Sequence, residues 1–87
     1  MKFRRSHNFT VEEAKIHADE IADDLCQRFG LQSEWRGDSL YLRGTGVKGE
    51  LHLEEHVLEI VIELGLALKL MEGPIRNFVE HSLDEHL

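Results

Sequence analysis

The sequence has few of the residues that fix a fold covalently. Its 87 residues include one cysteine, one proline, one tryptophan and one tyrosine. A single cysteine, Cys26, cannot form an internal disulfide, which is typical of proteins from a reducing compartment. We therefore expect a cytoplasmic protein whose stability comes from a packed core and not from cross-links.

Long apolar runs are also absent. The longest, Leu64 to Met71, falls far short of the ~20 residues that a membrane-spanning helix requires. Met1 to Arg5 runs directly into polar residues, which is unlike a secretory signal. A chain of this length builds one core. We expect residues 1–87 to form a single soluble domain with no membrane span.

Basic clusters are scarce. The net charge is −7, and from Gly49 onward only Lys69 and Arg76 oppose nine acidic residues. Such a surface repels the phosphate backbone, so we expect no nucleic-acid partner. The one basic cluster, Lys2, Arg4 and Arg5, is more typical of a charged edge strand that discourages aggregation.

Motifs of catalysis and metal binding are missing as well. No Gly-x-Ser-x-Gly elbow is present, and Gly44-Thr45-Gly46 lacks the helix and lysine that follow in a phosphate loop. His52 and His56 have ligand spacing, but they span a strand end and a turn. The sequence therefore predicts no enzyme, no metal site and no cofactor.

One long helix is clearly indicated. Thr10 and Glu13 have the spacing of a capping box, and Gly30 follows where a left-handed C-terminal cap is needed. Between them, apolar residues recur with helical spacing, at positions 11, 14, 18, 21, 22, 25 and 29. This pattern predicts a helix from Val11 to Phe29.

An antiparallel meander follows the helix. Four short segments between Leu31 and Leu64 alternate apolar and polar residues, and Gly37-Asp38, Gly44-Thr45-Gly46 and Glu54-Glu55-His56 separate them. Residues 2–7 alternate enough for one further strand. Alternation gives the sheet one apolar face, which other elements have to cover.

A second helix near the C-terminus completes the predicted cover. Pro74 suits a first helical turn, and Ile75, Phe78, Val79, Ser82 and Leu83 follow at steps of three and four. Leu66 to Met71 fits a helical turn or a continued strand; we favour a short helical segment broken or kinked near Gly73-Pro74. The predicted fold is α+β, in the order β-α-β-β-β-β-α, with both helices on one face of the sheet.

Two groups of residues are candidate binding sites. Leu66, Leu68, Leu70 and Met71 form an apolar run that a single helix face cannot fully bury, so they are a candidate interaction patch. The alternative, in which strand and helix bury the whole run, is equally compatible with the pattern.

The second candidate is polar. Arg5 and His7 share one face of the first strand, and with Trp35 or Tyr41 nearby they could recognise a carboxylate or a carbonyl-rich ligand. The alternative is that Arg5 pairs with an acidic residue of the first helix, while His7 caps the turn between strand and helix.

The order and spacing of short glycine-led motifs resemble a known family over nearly the full chain. They are Arg5-Ser6-His7, Arg28-Phe29-Gly30-Leu31, Trp35-Arg36-Gly37-Asp38, Gly46-Val47-Lys48-Gly49, Leu64-Gly65 and Gly73-Pro74-Ile75. The chain resembles the polyhydroxyalkanoic acid system family, small proteobacterial proteins encoded beside genes for polyester storage granules. The resemblance implies a setting and no catalytic residue.

On this basis we expect a non-enzymatic accessory or interaction protein of polyhydroxyalkanoate metabolism. Its partner would be the granule surface or a granule-associated protein, and it could form a homodimer. One alternative is a small carrier of acyl or lipid ligands, similar to a reduced helix-grip fold, with Arg5 or His7 near the ligand's carboxylate. Its cavity would be lined by Trp35, Leu51, Ile60 and Phe78. A more remote alternative is a regulator of a polymer-processing enzyme.

Overall fold

The protein is described by a computed structural model that covers residues 1–87. It has the predicted class and element order: an α+β fold with a five-stranded antiparallel sheet and two α-helices. The elements are β1 (Lys2–Ser6), α1 (Val11–Phe29), β2 (Gln32–Arg36), β3 (Ser39–Gly44), β4 (Val47–Leu53), β5 (Val57–Leu64), a 3₁₀ segment (Leu66–Met71) and α2 (Glu72–His86).

Helix α1 has the predicted limits because both of its ends are capped. The Thr10 hydroxyl accepts a hydrogen bond from the Glu13 backbone N–H at 3.1 Å, and the Glu13 carboxylate accepts one from the Thr10 N–H at 3.0 Å. At the other end Gly30 has a φ of 66°, and its N–H donates to the Cys26 carbonyl. The left-handed conformation at Gly30 is one that a β-carbon would strain.

The sheet has the strand order β1-β5-β4-β3-β2. The last four strands form the predicted meander, joined by tight turns in which Gly37 and Gly46 have positive φ. Strand β1 pairs antiparallel with β5 and becomes one edge of the sheet. Strand β2 is the other edge. The basic β1 therefore occupies the edge position that its composition predicted.

The core lies between the helices and the apolar face of the sheet. Leu51 of β4 and Ile60 of β5 are opposite each other in the register and are fully buried at its centre. Leu25 of α1 and Val79 of α2 are also buried in this cluster. Cys26 is half-buried against it, and burial raises the pKa of its thiol.

The second helical region confirms the short segment before α2 but moves the boundary. The 3₁₀ segment ends at Met71 and the α-helix begins at Glu72, so Pro74 is the third residue of α2. The change in helix type comes before Gly73-Pro74 and not at it. Proline is tolerated there because the first N–H groups of an α-helix have no partner within the helix.

The opposite face of the sheet has no helix over it, and we call it the open face. Five basic and four acidic side chains project from it, whereas the rest of the chain has five basic and thirteen acidic residues. The negative charge is therefore concentrated away from the open face. The charged members of this face are Lys2, Arg4, Arg36, Arg43, Lys48, Glu34, Glu50, Glu59 and Glu63.

The central position of Leu51 gives a direct test of the packing. Leu51→Ala should lower the free energy of unfolding by about 2–5 kcal/mol, because it removes a buried side chain and leaves a cavity. Urea unfolding followed by circular dichroism measures this. Lys48→Ala, on the open face of the same strand, is the control and should change stability by no more than about 0.5 kcal/mol. Equal effects of the two substitutions would contradict the assignment of the two faces.

Candidate functional site

The 3₁₀ segment Leu66–Met71, called here the apolar segment, is attached to the turn between β3 and β4. The Gly65 N–H donates to the Gly46 carbonyl at 2.8 Å, and the Leu68 N–H donates to the Gly65 carbonyl at 3.0 Å. The Leu68 side chain is half-buried against the core and lies over Gly46. A β-carbon on Gly46 would be 3.2 Å from Leu68 Cδ1, so glycine allows this close approach. Leu68 thus holds the segment in place.

The other large apolar side chains of this segment point into solvent. Leu66 is 86% exposed, Leu70 94% and Met71 49%. The sequence left open whether this run is buried; the structure exposes three of the four candidate residues and turns Leu68 inward. Lys69 is the only charged side chain in the segment. An exposed cluster of this kind is typical of a surface that binds a partner.

The three candidate polar contacts do not form one site. Arg5 and His7 belong to the β1 edge, while Trp35 is on β2 at the opposite edge of the sheet. Four strand spacings, roughly 19 Å, separate these edges. The expectation of a shared carboxylate site therefore does not hold, because the meander carries Trp35 away from β1. Tyr41 projects from the open face, whereas Arg5 and Trp35 face the helices.

Each of these side chains has a local partner instead. Arg5 Nη2 is 3.4 Å from an Asp84 carboxylate oxygen on α2, and Trp35 Nε1 donates to Asp19 of α1 at 2.7 Å. His7 Nδ1 accepts from the Phe9 N–H at 3.2 Å, which agrees with the alternative that His7 caps the turn. The ion pair of Arg5 is made with α2 and not with the first helix. All three side chains thus tie strands to helices or shape a turn.

His7 carries a buried polar atom without a partner. Because Nδ1 accepts a hydrogen bond, the proton of the neutral ring is on Nε2, which is buried and has no acceptor. Burial lowers the pKa of His7 below its ordinary value, and the nearby imidazoles of His56 and His17 lower it further. Folding therefore favours the neutral ring of His7.

A network between the two helices was missed by the sequence analysis. Asp24 of α1 accepts hydrogen bonds at 2.8 Å from the Ser82 hydroxyl and from His86 Nε2, both on α2. His86 Nδ1 is also 3.4 Å from a Glu20 carboxylate oxygen. These contacts join residues about sixty positions apart. The available signal was Ser82, a polar residue within the apolar stripe of the second helix.

The same network is where a metal ion could be held. Ligand atoms of Asp24, Glu85 and His86 lie within 4.8 Å of one another, a donor set that suits a divalent cation. Two members of this set, Asp24 and His86, are already hydrogen-bonded to each other. Burial raises the pKa of Asp24, but the hydrogen bonds from Ser82 and His86 lower it, and the net shift is downward. We interpret the arrangement as a polar contact that joins α1 to α2.

The open face contains a second unforeseen arrangement. The Ser39 hydroxyl is 2.7 Å from His52 Nδ1, and His52 Nε2 is 2.9 Å from a Glu50 carboxylate oxygen. Hydroxyl, imidazole and carboxylate in this order occur in nucleophilic catalysis. Catalysis would also need backbone N–H groups aimed at a developing oxyanion. Ser39 is the first residue of β3, and its neighbours in the sheet are Arg36 of β2 and His52 of β4. We interpret the three residues as a polar contact across β3 and β4.

The interior has no room for an acyl chain. The apolar crevice between the two helices and the sheet has a volume of about 10 Å³, roughly the space of one water molecule. Leu51 and Ile60, which were expected to line a carrier cavity, are fully buried in the continuous core. The residues around the crevice include Leu25, Leu42 and Ile75. The packed core does not favour the carrier alternative.

Fold and surface together define a class: a small α+β domain with a closed core and an exposed apolar segment. No helix of the structure combines the length and apolar character needed to cross a bilayer. The chain belongs to the family described as "Putative polyhydroxyalkanoic acid system protein", whose profile matches residues 1–87. This agrees with the resemblance seen in the motifs. No curated protein and no solved structure matches the chain.

The buried His7 predicts how stability depends on pH. Because its pKa is lower in the folded protein, the unfolded chain binds the proton more tightly. Its contribution to stability is fully present above the ordinary pKa of 6.5 and is lost as the pH falls below that value towards the folded pKa. His7→Asn keeps an acceptor for the Phe9 N–H but cannot titrate. The free energy of unfolding should therefore fall less in the variant than in the parent between about pH 7.5 and about pH 5.

Urea unfolding at several pH values and constant ionic strength measures how steeply the free energy of unfolding changes with pH in the parent and in the variant. His81→Asn, at an exposed position of α2, is the matched control and should keep the slope of the parent. A parent and a His7→Asn variant with identical pH dependence would refute this role of His7.

Proposed function

We propose that the protein is a non-enzymatic accessory protein of polyhydroxyalkanoate metabolism that attaches to the granule surface through its apolar segment. Membership of the polyhydroxyalkanoic acid system family supplies the metabolic setting. The observation that carries the proposal is the exposure of Leu66 and Leu70 beside a core that is already closed. Folding does not remove these leucine side chains from water. The unfavourable free energy of their hydration is relieved when another apolar surface covers them.

The chemistry of the granule surface suits this segment. An aliphatic polyester presents methylene groups and ester carbonyls and carries no net charge. Leu66, Leu70 and Met71 supply an aliphatic protrusion, and Lys69 is the only charge among them. Removing the two leucines from water is worth about 3–6 kcal/mol as an upper estimate. This range is enough for reversible attachment of a small domain to a surface that offers many sites.

The mode of attachment differs from insertion of a long amphipathic helix. The Leu68 side chain and the backbone hydrogen bond from Gly65 to Gly46 fix the segment on the body of the domain. The backbone of the segment therefore needs no ordering on contact, and the conformational entropy lost on binding is mainly that of the side chains. The acidic outer side of α1 lies on another element and stays hydrated.

Co-sedimentation with washed granules tests the proposal. The parent should sediment with the granules, and the double variant Leu66→Asp/Leu70→Asp should bind about a hundredfold more weakly or worse. Both substitutions replace exposed side chains, so circular dichroism and the unfolding midpoint should remain those of the parent.

Ile16→Asp is the matched control, since Ile16 is 61% exposed but lies on α1, away from the apolar segment. It should bind granules as the parent does. Granules stripped of protein by detergent and protease separate the polyester from a protein partner. Loss of binding on stripped granules would transfer the proposal to a granule-associated protein, and no binding to either preparation would refute it.

A further inference from the structure

The outer edge of β2 is a strand edge that no other element covers. Strand β2 is last in the sheet order and pairs on one side only, with β3. The Asp38 carbonyl accepts a hydrogen bond from the Leu53 N–H, so the backbone groups of Asp38 point towards β4. Successive residues of a strand direct their N–H and C=O groups to opposite sides, so those of Ser39 point towards β2. Ser39 is paired with Arg36. The alternation of the ladder then directs the backbone groups of Ser33 and Trp35 outward, away from the sheet.

The two edges of the sheet differ in charge. Strand β1 carries Lys2, Arg4 and Arg5 and no acidic residue, so two copies of it would repel each other. Strand β2 carries one acidic and one basic side chain, Glu34 and Arg36, two positions apart on the open face. In a pair of antiparallel β2 strands, the acidic side chain of one copy can therefore lie opposite the basic side chain of the other.

Only one antiparallel register of two β2 strands places both charged side chains of each copy opposite a side chain of opposite charge. With Trp35 opposite Trp35 of the second copy, Glu34 lies opposite Arg36 of that copy, and the symmetry repeats the pair. A register centred on Glu34 would place two carboxylates directly opposite each other, which is unfavourable. A register centred on Ser33 would leave Arg36 without a partner.

We infer that two copies of the chain associate through β2 in the register centred on Trp35, which joins their sheets into one of ten strands. The outward N–H and C=O groups of Trp35 pair across the twofold axis, and those of Ser33 lie near the ends of the contact. Within one copy Arg36 Nη2 is 3.3 Å from Glu34, and both side chains are about two-thirds exposed. Replacing this intramolecular ion pair by the intermolecular one costs little free energy, because exposed ion pairs contribute little to stability.

The same geometry leaves the apolar segment free. Leu66–Met71 docks on the turn between β3 and β4 and is no part of the β2 edge. A dimer through β2 therefore carries two such segments on one rigid body, and a surface that binds both gains avidity. Dimerisation stands independently of granule attachment.

Sedimentation equilibrium over a range of concentrations tests the inference. The parent should show a reversible monomer–dimer equilibrium. Glu34→Arg and Arg36→Glu should each weaken it by about tenfold or more, because each puts like charges opposite each other twice per dimer. The double variant Glu34→Arg/Arg36→Glu should restore the parent association, since it reverses both pairs and returns their complementarity.

The single tryptophan gives a second readout at the twofold axis. The emission of Trp35 should change with concentration in the parent and in the double variant, and stay constant in the single variants. Lys48→Glu, a charge reversal elsewhere on the open face, should leave the equilibrium unchanged. A parent that is monomeric at all concentrations would overturn the inference, as would a dimer that no β2 variant weakens or one that Leu66→Asp/Leu70→Asp dissociates.

Discussion

The burial of one face of the antiparallel sheet is the constraint on which the rest of the structure depends. Leu51 and Ile60 lie opposite each other at the centre of that face, and neither α1 nor α2 alone is wide enough to cover it. The helices must therefore lie side by side, and their contact is partly polar. Asp24 meets Ser82 and His86 there, in bonds that leave the Asp24 carboxylate with a lowered pKa. An uncompensated carboxylate at this position would oppose the packing that the sheet demands.

Because the core is closed, the exposed leucines cannot be explained as a lid over an internal cavity. If the interior held a chamber, the apolar run after β5 could be a lid over it. The interior space is about that of one water molecule, and Leu68 alone turns inward while Leu66 and Leu70 stay in solvent. This exposure next to a completed core is the basis of our proposal that a partner covers Leu66 and Leu70. The family gives the polyhydroxyalkanoate setting of that proposal, and the packing of Leu68 over Gly46 holds the segment in place without a partner.

Sequence patterns predicted those parts of the fold that depend on local chemistry. The capping box and Gly30 fixed both ends of α1, and alternation between three short turns, two of which contain glycine, identified the four strands of the meander. What escaped prediction depends on residues far apart in the chain. The Asp24–Ser82–His86 contact needs the helix pairing to be known, and the Ser39–His52–Glu50 contact needs the register of β3 and β4. Arg5, His7 and Trp35 were grouped into one site because the sequence does not give the order of the edge strands. The exposure of Leu66 and Leu70 was undecided for a similar reason, since a run of alternate leucines suits a strand as well as a 3₁₀ turn.

The central claim is that the apolar segment is the surface that meets the granule. Hydroxyl-radical footprinting read by mass spectrometry measures the solvent accessibility of individual side chains, and the single tyrosine, Tyr41, gives an internal comparison. With granules present, oxidation of Leu66, Leu70 and Met71 should fall, while oxidation of Tyr41 on the open face should not change. Protection of Tyr41 with an unprotected Met71 would contradict the account and place the contact on the open face of the sheet.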